Sequence, residues 1–248
     1  MNVALAAVVF APALAVGSFL NVVAARVPLR RSIVHPGSAC MSCGAEIAWY
    51  DNIPVLSYIV LRGRCRSCGE RFSWRYPAVE LATGLLVAGC FLVFGATPDA
   101  AVAAVFCGVL VAISATDLEH RIIPNRIVLP AAAAVLAAQT ALHPSPEWAL
   151  GAFGAAGFLL LAALVHPAGM GMGDVKLALL LGAMLGRSVA LALMVGLVSA
   201  LVPSVVLVAR HGRAARKMAI PLGPFLALGG VVGLFWGEPL LDAYLRLF

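Results

Sequence analysis

Gly171-Met172-Gly173-Asp174-Val175-Lys176 leads directly into the apolar run Leu177-Ala178-Leu179-Leu180-Leu181-Gly182-Ala183-Met184-Leu185. A carboxylate at the foot of such a run needs a use, because an acidic group beside hydrocarbon is costly. A second aspartate holds the matching place at the end of an earlier apolar run, in Thr116-Asp117-Leu118-Glu119-His120-Arg121-Ile122-Ile123-Pro124. Two aspartates at one membrane face read as an acid/base pair.

The surrounding composition sets the fold class. The 248 residues are 62% hydrophobic and 11% charged, with a mean hydropathy of +1.01, whereas a soluble domain carries about a quarter charged residues. The chain reads as an all-α polytopic membrane protein. Apolar stretches fall near 3–24, 78–95, 100–116, 127–142, 148–166, 175–186, 188–209 and 219–237, which predicts about eight transmembrane helices. Several are shorter than the roughly 20 residues a bilayer takes. The first resembles a signal peptide around Ala11-Pro12-Ala13-Leu14-Ala15-Val16-Gly17, but no Lys or Arg precedes it, so an uncleaved first helix over 1–24 is expected. The remainder divides into a polar loop domain at 25–77 and a transmembrane core at 78–248.

With the N-terminus outside, every Lys and Arg except Arg187 and Arg246 falls on one side, and the positive-inside rule makes that side cytoplasmic. The polar loop and both aspartates share it. Topology and contact with anionic membrane lipids account for the net charge of +6, so no nucleic-acid partner is called for.

Within the loop stand Cys40-Met41-Ser42-Cys43-Gly44 and Cys65-Arg66-Ser67-Cys68-Gly69, 21 residues apart. Two Cys-x-x-Cys-Gly knuckles predict one Zn²⁺ held by Cys40, Cys43, Cys65 and Cys68, the glycines turning the backbone around the ion. Disulfides and a redox role compete with this reading, the former disfavoured by a cytoplasmic address. Four thiolates close the coordination sphere, so the metal is expected to be structural. Arg62, Arg64, Arg66 and Arg71 offset its net negative charge.

Two carboxylates sharing a proton hydrolyse a peptide bond without metal: one activates water, the other protonates the carbonyl oxygen or the leaving amine. Asp117 closes a span running inward and Asp174 opens one running back, so both are placed at the cytoplasmic edge. Asp174, at a helix N-terminus near Lys176, is expected to start as base, and Asp117, at a helix C-terminus, as acid. Gly171 and Gly173 would let a substrate backbone approach closely. The bland readings are a helix cap at Asp174 and a solvated turn at Asp117. A carrier with ion-binding carboxylates and a presenilin-type intramembrane protease are the competing functions; a carrier would place its acids near the bilayer midplane.

On these residues the chain resembles the type IV prepilin peptidases, bifunctional leader peptidases and N-methyltransferases. The similarity takes in Gly17-Ser18-Phe19-Leu20-Asn21, both knuckles, Asp51-Asn52-Ile53-Pro54-Val55-Leu56-Ser57-Tyr58, Arg75-Tyr76-Pro77-Ala78-Val79-Glu80-Leu81, the two aspartate motifs and Pro221-Leu222-Gly223-Pro224-Phe225. It departs at Asn125, where the family commonly has Asp. The resemblance implies removal of a short basic leader from prepilins or pseudopilins at the cytoplasmic face of the bacterial inner membrane. It also implies methylation of the new N-terminus from S-adenosylmethionine, with Gly63 and Glu80 as candidates near the methyl donor. A basic leader approaching a basic face needs counter-charges, and Glu46, Asp51, Glu70 and Glu80 are expected to provide them. The substrate set, the system served and the oligomeric state are not legible.

Overall fold

The computed structural model describes residues 2–165, 170–212 and 220–246. Arg213, Arg216 and Lys217, part of the basic stretch used for the topology, lie outside them. The described residues form helices α1 (Asn2–Arg26), α2 (Leu56–Val60), α3 (Arg75–Phe94), α4 (Pro98–His120), α5 (Asn125–Leu142), α6 (Glu147–Val165), α7 (Met172–Leu185), α8 (Val189–His211) and α9 (Gly223–Leu245). No strand is found among them beyond two isolated bridges. Seven stretches are long and apolar enough to cross a membrane when Met172–His211 is counted as one. A short 3-10 turn at Gly186–Ser188 divides that stretch into α7 and α8. The eight long helices therefore coincide with the eight apolar runs of the sequence.

The runs end where backbone chemistry stops them. Gly95, Gly186 and Gly212 close α3, α7 and α8 in left-handed conformations (φ 70°, 52° and 55°) while donating back to the last turn. Pro124 starts α5. Prolines inside α1, α5, α8 and α9 are in keeping with spanning helices, where neighbours satisfy the freed carbonyls.

Two compact units form, residues 1–115 and 116–248. In the first, α1 and α3 run antiparallel. Asn2 Nδ2 donates to the Leu92 carbonyl and Asn21 Nδ2 to that of Tyr76, both at 3.1 Å. A Cβ on Gly17 would come within 2.7 Å of Glu80 Cα, and one on Gly84 within 2.7 Å of Leu14. Small residues allow this approach, which drives helix association where water does not. The loop between these helices carries the two knuckles, a 3-10 turn at Trp49–Asn52 and α2. Cys90 and Cys107, on α3 and α4, are fully buried free thiols with Sγ atoms 3.7 Å apart.

In the second unit α7 is the central element. Leu177, Leu180 and Leu181 are wholly inaccessible, and the helix packs on α5, α6 and α9. Any Cβ at Gly182 would collide with the Gly151 carbonyl of α6. Gly229, Gly233 and Gly237 form a four-residue-spaced row on α9 that meets Ala192, Leu185 and Ser188, so α8 runs back beside α9 after the turn.

Candidate active site

Asp117 lies in the last turn of α4 and is 6% exposed. Its Oδ2 accepts the N–H of Gly223 at 2.8 Å. Gly223 is the first residue of α9, so this is one of the N–H groups a helix start leaves without an intrahelical partner. A Cβ on Gly223 would fall 2.8 Å from the same oxygen, so the close approach requires glycine. Beyond Asp117, Arg121 donates its N–H to the Asp117 carbonyl at 2.9 Å and takes φ 55°, turning the chain toward Ile122-Ile123-Pro124.

Asp174 stands in the first turn of α7, partly shielded. Its Oδ2 accepts the Gly171 N–H and its own N–H returns to the Gly171 carbonyl, both at 3.1 Å. The helix cap is thus Gly171, with Asp174 reaching back to it. Two contacts join this turn to the Asp117 turn. A Cβ on Gly173 would meet that of Ile123 at 2.9 Å, and Lys176 Nζ donates to Asn125 Oδ1 at 2.8 Å. One expectation changes: Asp117 ends α4 but also faces the N-terminus of α9, so helix dipoles alone do not rank the two aspartates as base and acid. Gly223, Ile123 and Asn125 join this arrangement although their residue types alone do not single them out.

The four knuckle cysteines come together, each ligand sulfur within 4.8 Å of the others, and Cys40 and Cys68 Sγ are 3.8 Å apart. Tetrahedral thiolates at 2.3 Å from an ion stand about 3.8 Å from one another, so the set fits a metal. The knuckles are built alike. Gly44 and Gly69 donate to the Cys40 and Cys65 carbonyls at 2.9 Å, with φ 71° and 72°. Amides of Cys43 and Ser42 pull the Cys40 thiol down to about 7. The Glu70 amide works the same way on Cys68, but burial and the three neighbouring sulfurs outweigh it and push that thiol up to about 12. Four thiols at this spacing do not ionise together unless a cation compensates them, so metal uptake releases protons.

The remaining candidates separate. Glu46 and Glu70 are exposed. Asp51 holds Arg66 through two bonds of 2.6 and 2.7 Å, and that guanidinium keeps its carboxyl below the usual range. Arg66 also lies over the Tyr50 ring, 5.7 Å from its centroid. Glu80 is buried at 7% exposure, its Oε2 accepting the Val55 N–H at 2.7 Å. Gly63 takes φ 65° with the Tyr58 ring against it, 2.8 Å from where a Cβ would stand.

Residues 12–94 match the model of the bacterial peptidase A24 N-terminal domain, and residues 104–209 that of the type IV leader peptidase family. A protein of Bacillus subtilis (strain 168) named prepilin leader peptidase/N-methyltransferase is 35% identical over 248 residues, covering 97% of this chain and 98% of its own length. The chain belongs to the type IV leader peptidase family. A family member with the same name from Pseudomonas aeruginosa is 36% identical, over 94% of this chain and 91% of its own. Another, from Myxococcus xanthus, is 43% identical over 71% of this chain and 55% of its own. No solved structure matches. Residues 95–103 separate the two family matches, with all four cysteines in the first and both aspartates in the second.

Proposed function

We propose that this chain removes the leader from prepilins or pseudopilins and N-methylates the new terminus, with Asp117 and Asp174 as the hydrolytic pair. The observation that carries the reading is that each aspartate spends one oxygen on a backbone N–H, from Gly223 and Gly171. The other oxygen of each, which has no hydrogen-bond partner among the described residues, is the one we assign to water or substrate. With one proton shared between them, the ionised carboxylate takes a proton from the attacking water while the other gives its proton to the carbonyl oxygen. As the C–N bond breaks, the first passes its proton to the leaving amine and the second takes one back from the gem-diol, which restores the shared proton. Two carboxylates that share a proton act as one unit. Gly171 and Gly173, with Lys176 bonded to Asn125, support the geometry around Asp174.

Zn²⁺ is our choice of ion for Cys40, Cys43, Cys65 and Cys68, since an all-sulfur tetrahedral set suits it. Its contribution is to fold the loop. S-adenosylmethionine, when bound, supplies the methyl group to the neutral form of the new amine. Gly63 and Glu80 are occupied by Tyr58 and Val55, so in our reading they hold the loop in shape and no donor contact is assigned to them. The arginine-rich distribution supports a cytoplasmic address for the loop and the aspartate turns.

The test is to incubate the purified full-length chain with a prepilin-like precursor and measure product mass, with and without S-adenosylmethionine. Loss of the leader, and a gain of one methyl only with the donor, is the expected result. An intact precursor under conditions where the chain is folded and metal-loaded would sink the proposal.

A further inference from the structure

The short helix α2 carries a feature that neither activity uses. Leu56, Ile59 and Val60 are 54%, 66% and 66% exposed, and their i, i+3, i+4 spacing makes one apolar stripe. The opposite side is committed to the protein. Ser57 is buried and bonded to the Tyr50 carbonyl at 3.0 Å, and Tyr58 covers Gly63 while its hydroxyl donates to the Phe72 carbonyl at 3.3 Å.

The depth of this stripe follows from Glu80. That residue is five positions into α3, about 7 Å along a helix axis, and Gly17 of α1 packs against its backbone. The N–H of Val55 reaches it there. Val55 does so at φ 61°, a left-handed conformation that β-branched residues avoid, so the chain is drawn in against its local preference. α2 thus starts from a residue held by a side chain of the second turn of a membrane-spanning helix, close to the N-terminal end of that helix because helix side chains tilt that way, and its apolar stripe is exposed. Arg62 and Arg64 follow immediately, both exposed, and Trp74, 71% exposed, stands one residue before α3. An exposed apolar stripe, guanidinium groups next along the chain and an exposed tryptophan beside the start of a spanning helix are the pattern of a segment seated at a membrane interface.

We propose that α2 is an interfacial membrane anchor. Its Leu56, Ile59 and Val60 stripe lies in the headgroup–acyl boundary, with Arg62 and Arg64 at the phosphates of anionic lipid. The cysteine loop is thereby held flat against the bilayer rather than projecting from it. The partner is the lipid surface itself, since Val55 at the start of α2 is tied to Glu80 of the membrane-spanning α3 and the charge of Arg62 and Arg64 complements an anionic leaflet.

The unmodified chain serves for the test. It is reconstituted in phosphatidylethanolamine/phosphatidylglycerol vesicles containing a phospholipid with a diazirine near the glycerol end of its acyl chain, irradiated, digested and mapped by mass spectrometry. Adducts are expected on Leu56–Val60 as well as on α1 and α3, with none on the knuckle tip around Met41. Labelled α1 and α3 with a clean 56–60 peptide would overturn the anchor. In phosphatidylcholine vesicles the 56–60 adducts should fall severalfold; equal labelling in both would remove the part played by Arg62 and Arg64. Ile59→Asp combined with Val60→Asp should abolish the adducts while cleavage of precursor in detergent is unchanged, and persistence of the adducts in that variant would also count against the stripe.

Discussion

The cysteine loop and the aspartate turns solve the same problem, fixing irregular chain at a membrane edge, by opposite means. The loop uses side chains: four converging thiols, the Asp51–Arg66 fork and the Glu80 carboxylate on a strained Val55. The aspartate turns use backbone and absence of side chains: N–H groups of Gly223 and Gly171 on the carboxylates, and glycines where helices touch. Side-chain fastening depends on metal, pH and charge. Backbone fastening depends on steric room, so the two regions should fail under different insults.

The largest effect should come from the carboxylates. Asp117→Asn and Asp174→Asn should each lower leader cleavage by about 10²–10⁴-fold or more, the range for losing a positioned acid or base, while methylation of an already cleaved substrate persists. Equal loss of both activities would mean the two sites are not separable. Next, Gly223→Ala should lower cleavage by roughly tenfold to a hundredfold, because the added methyl displaces the Asp117 oxygen and weakens a charge-assisted bond worth about 1.5–3 kcal/mol. The readout is kcat/KM alongside thermal unfolding; a drop in unfolding temperature with unchanged kcat/KM would assign Gly223 to packing alone.

Metal removal by a chelator, or Cys43→Ser, should open the loop to proteolysis between α1 and α3 while unit two keeps its unfolding temperature. A fall in both would erase the contrast between the regions. In the other direction, Gly182→Leu should destabilise the helix core by about 1–3 kcal/mol or more through overpacking and leave metal stoichiometry unaltered. The smallest effect concerns pH. Arg66 depresses the Asp51 carboxyl, so that contact contributes in full above the ordinary carboxylate range near pH 4 and is lost only as pH falls through the depressed value. Asp51→Asn should flatten that acid limb of loop stability, with little change at neutral pH because Arg66 is largely exposed.

The helices were legible because apolar runs are bounded by glycine and proline, and Gly186 marks even the break between α7 and α8. The knuckles were legible because thiol spacing and glycine position are covalent facts. The fastening of Asp117 was not, since a backbone donor from Gly223, far along the chain, leaves no trace in residue type. Glu80 reads as a counter-charge for a basic leader or a methyl-donor candidate, yet its partner is another backbone N–H, that of Val55. Lys176 stood out as a charge beside Asp174, whereas its bond to Asn125 depends on how two turns meet.

The shortness of α7 bears on which peptides can be cut. Fourteen residues span about 21 Å, against about 30 Å of hydrocarbon. A segment this short either thins the bilayer around it or leaves its end recessed, and Asp174 is at that end. Where the end is recessed, a freely diffusing peptide would not present its backbone there, whereas one whose following residues are themselves anchored in the bilayer would. On our proposal that Asp174 acts in cleavage, membrane residence of the substrate would then serve as a selectivity filter set by helix length.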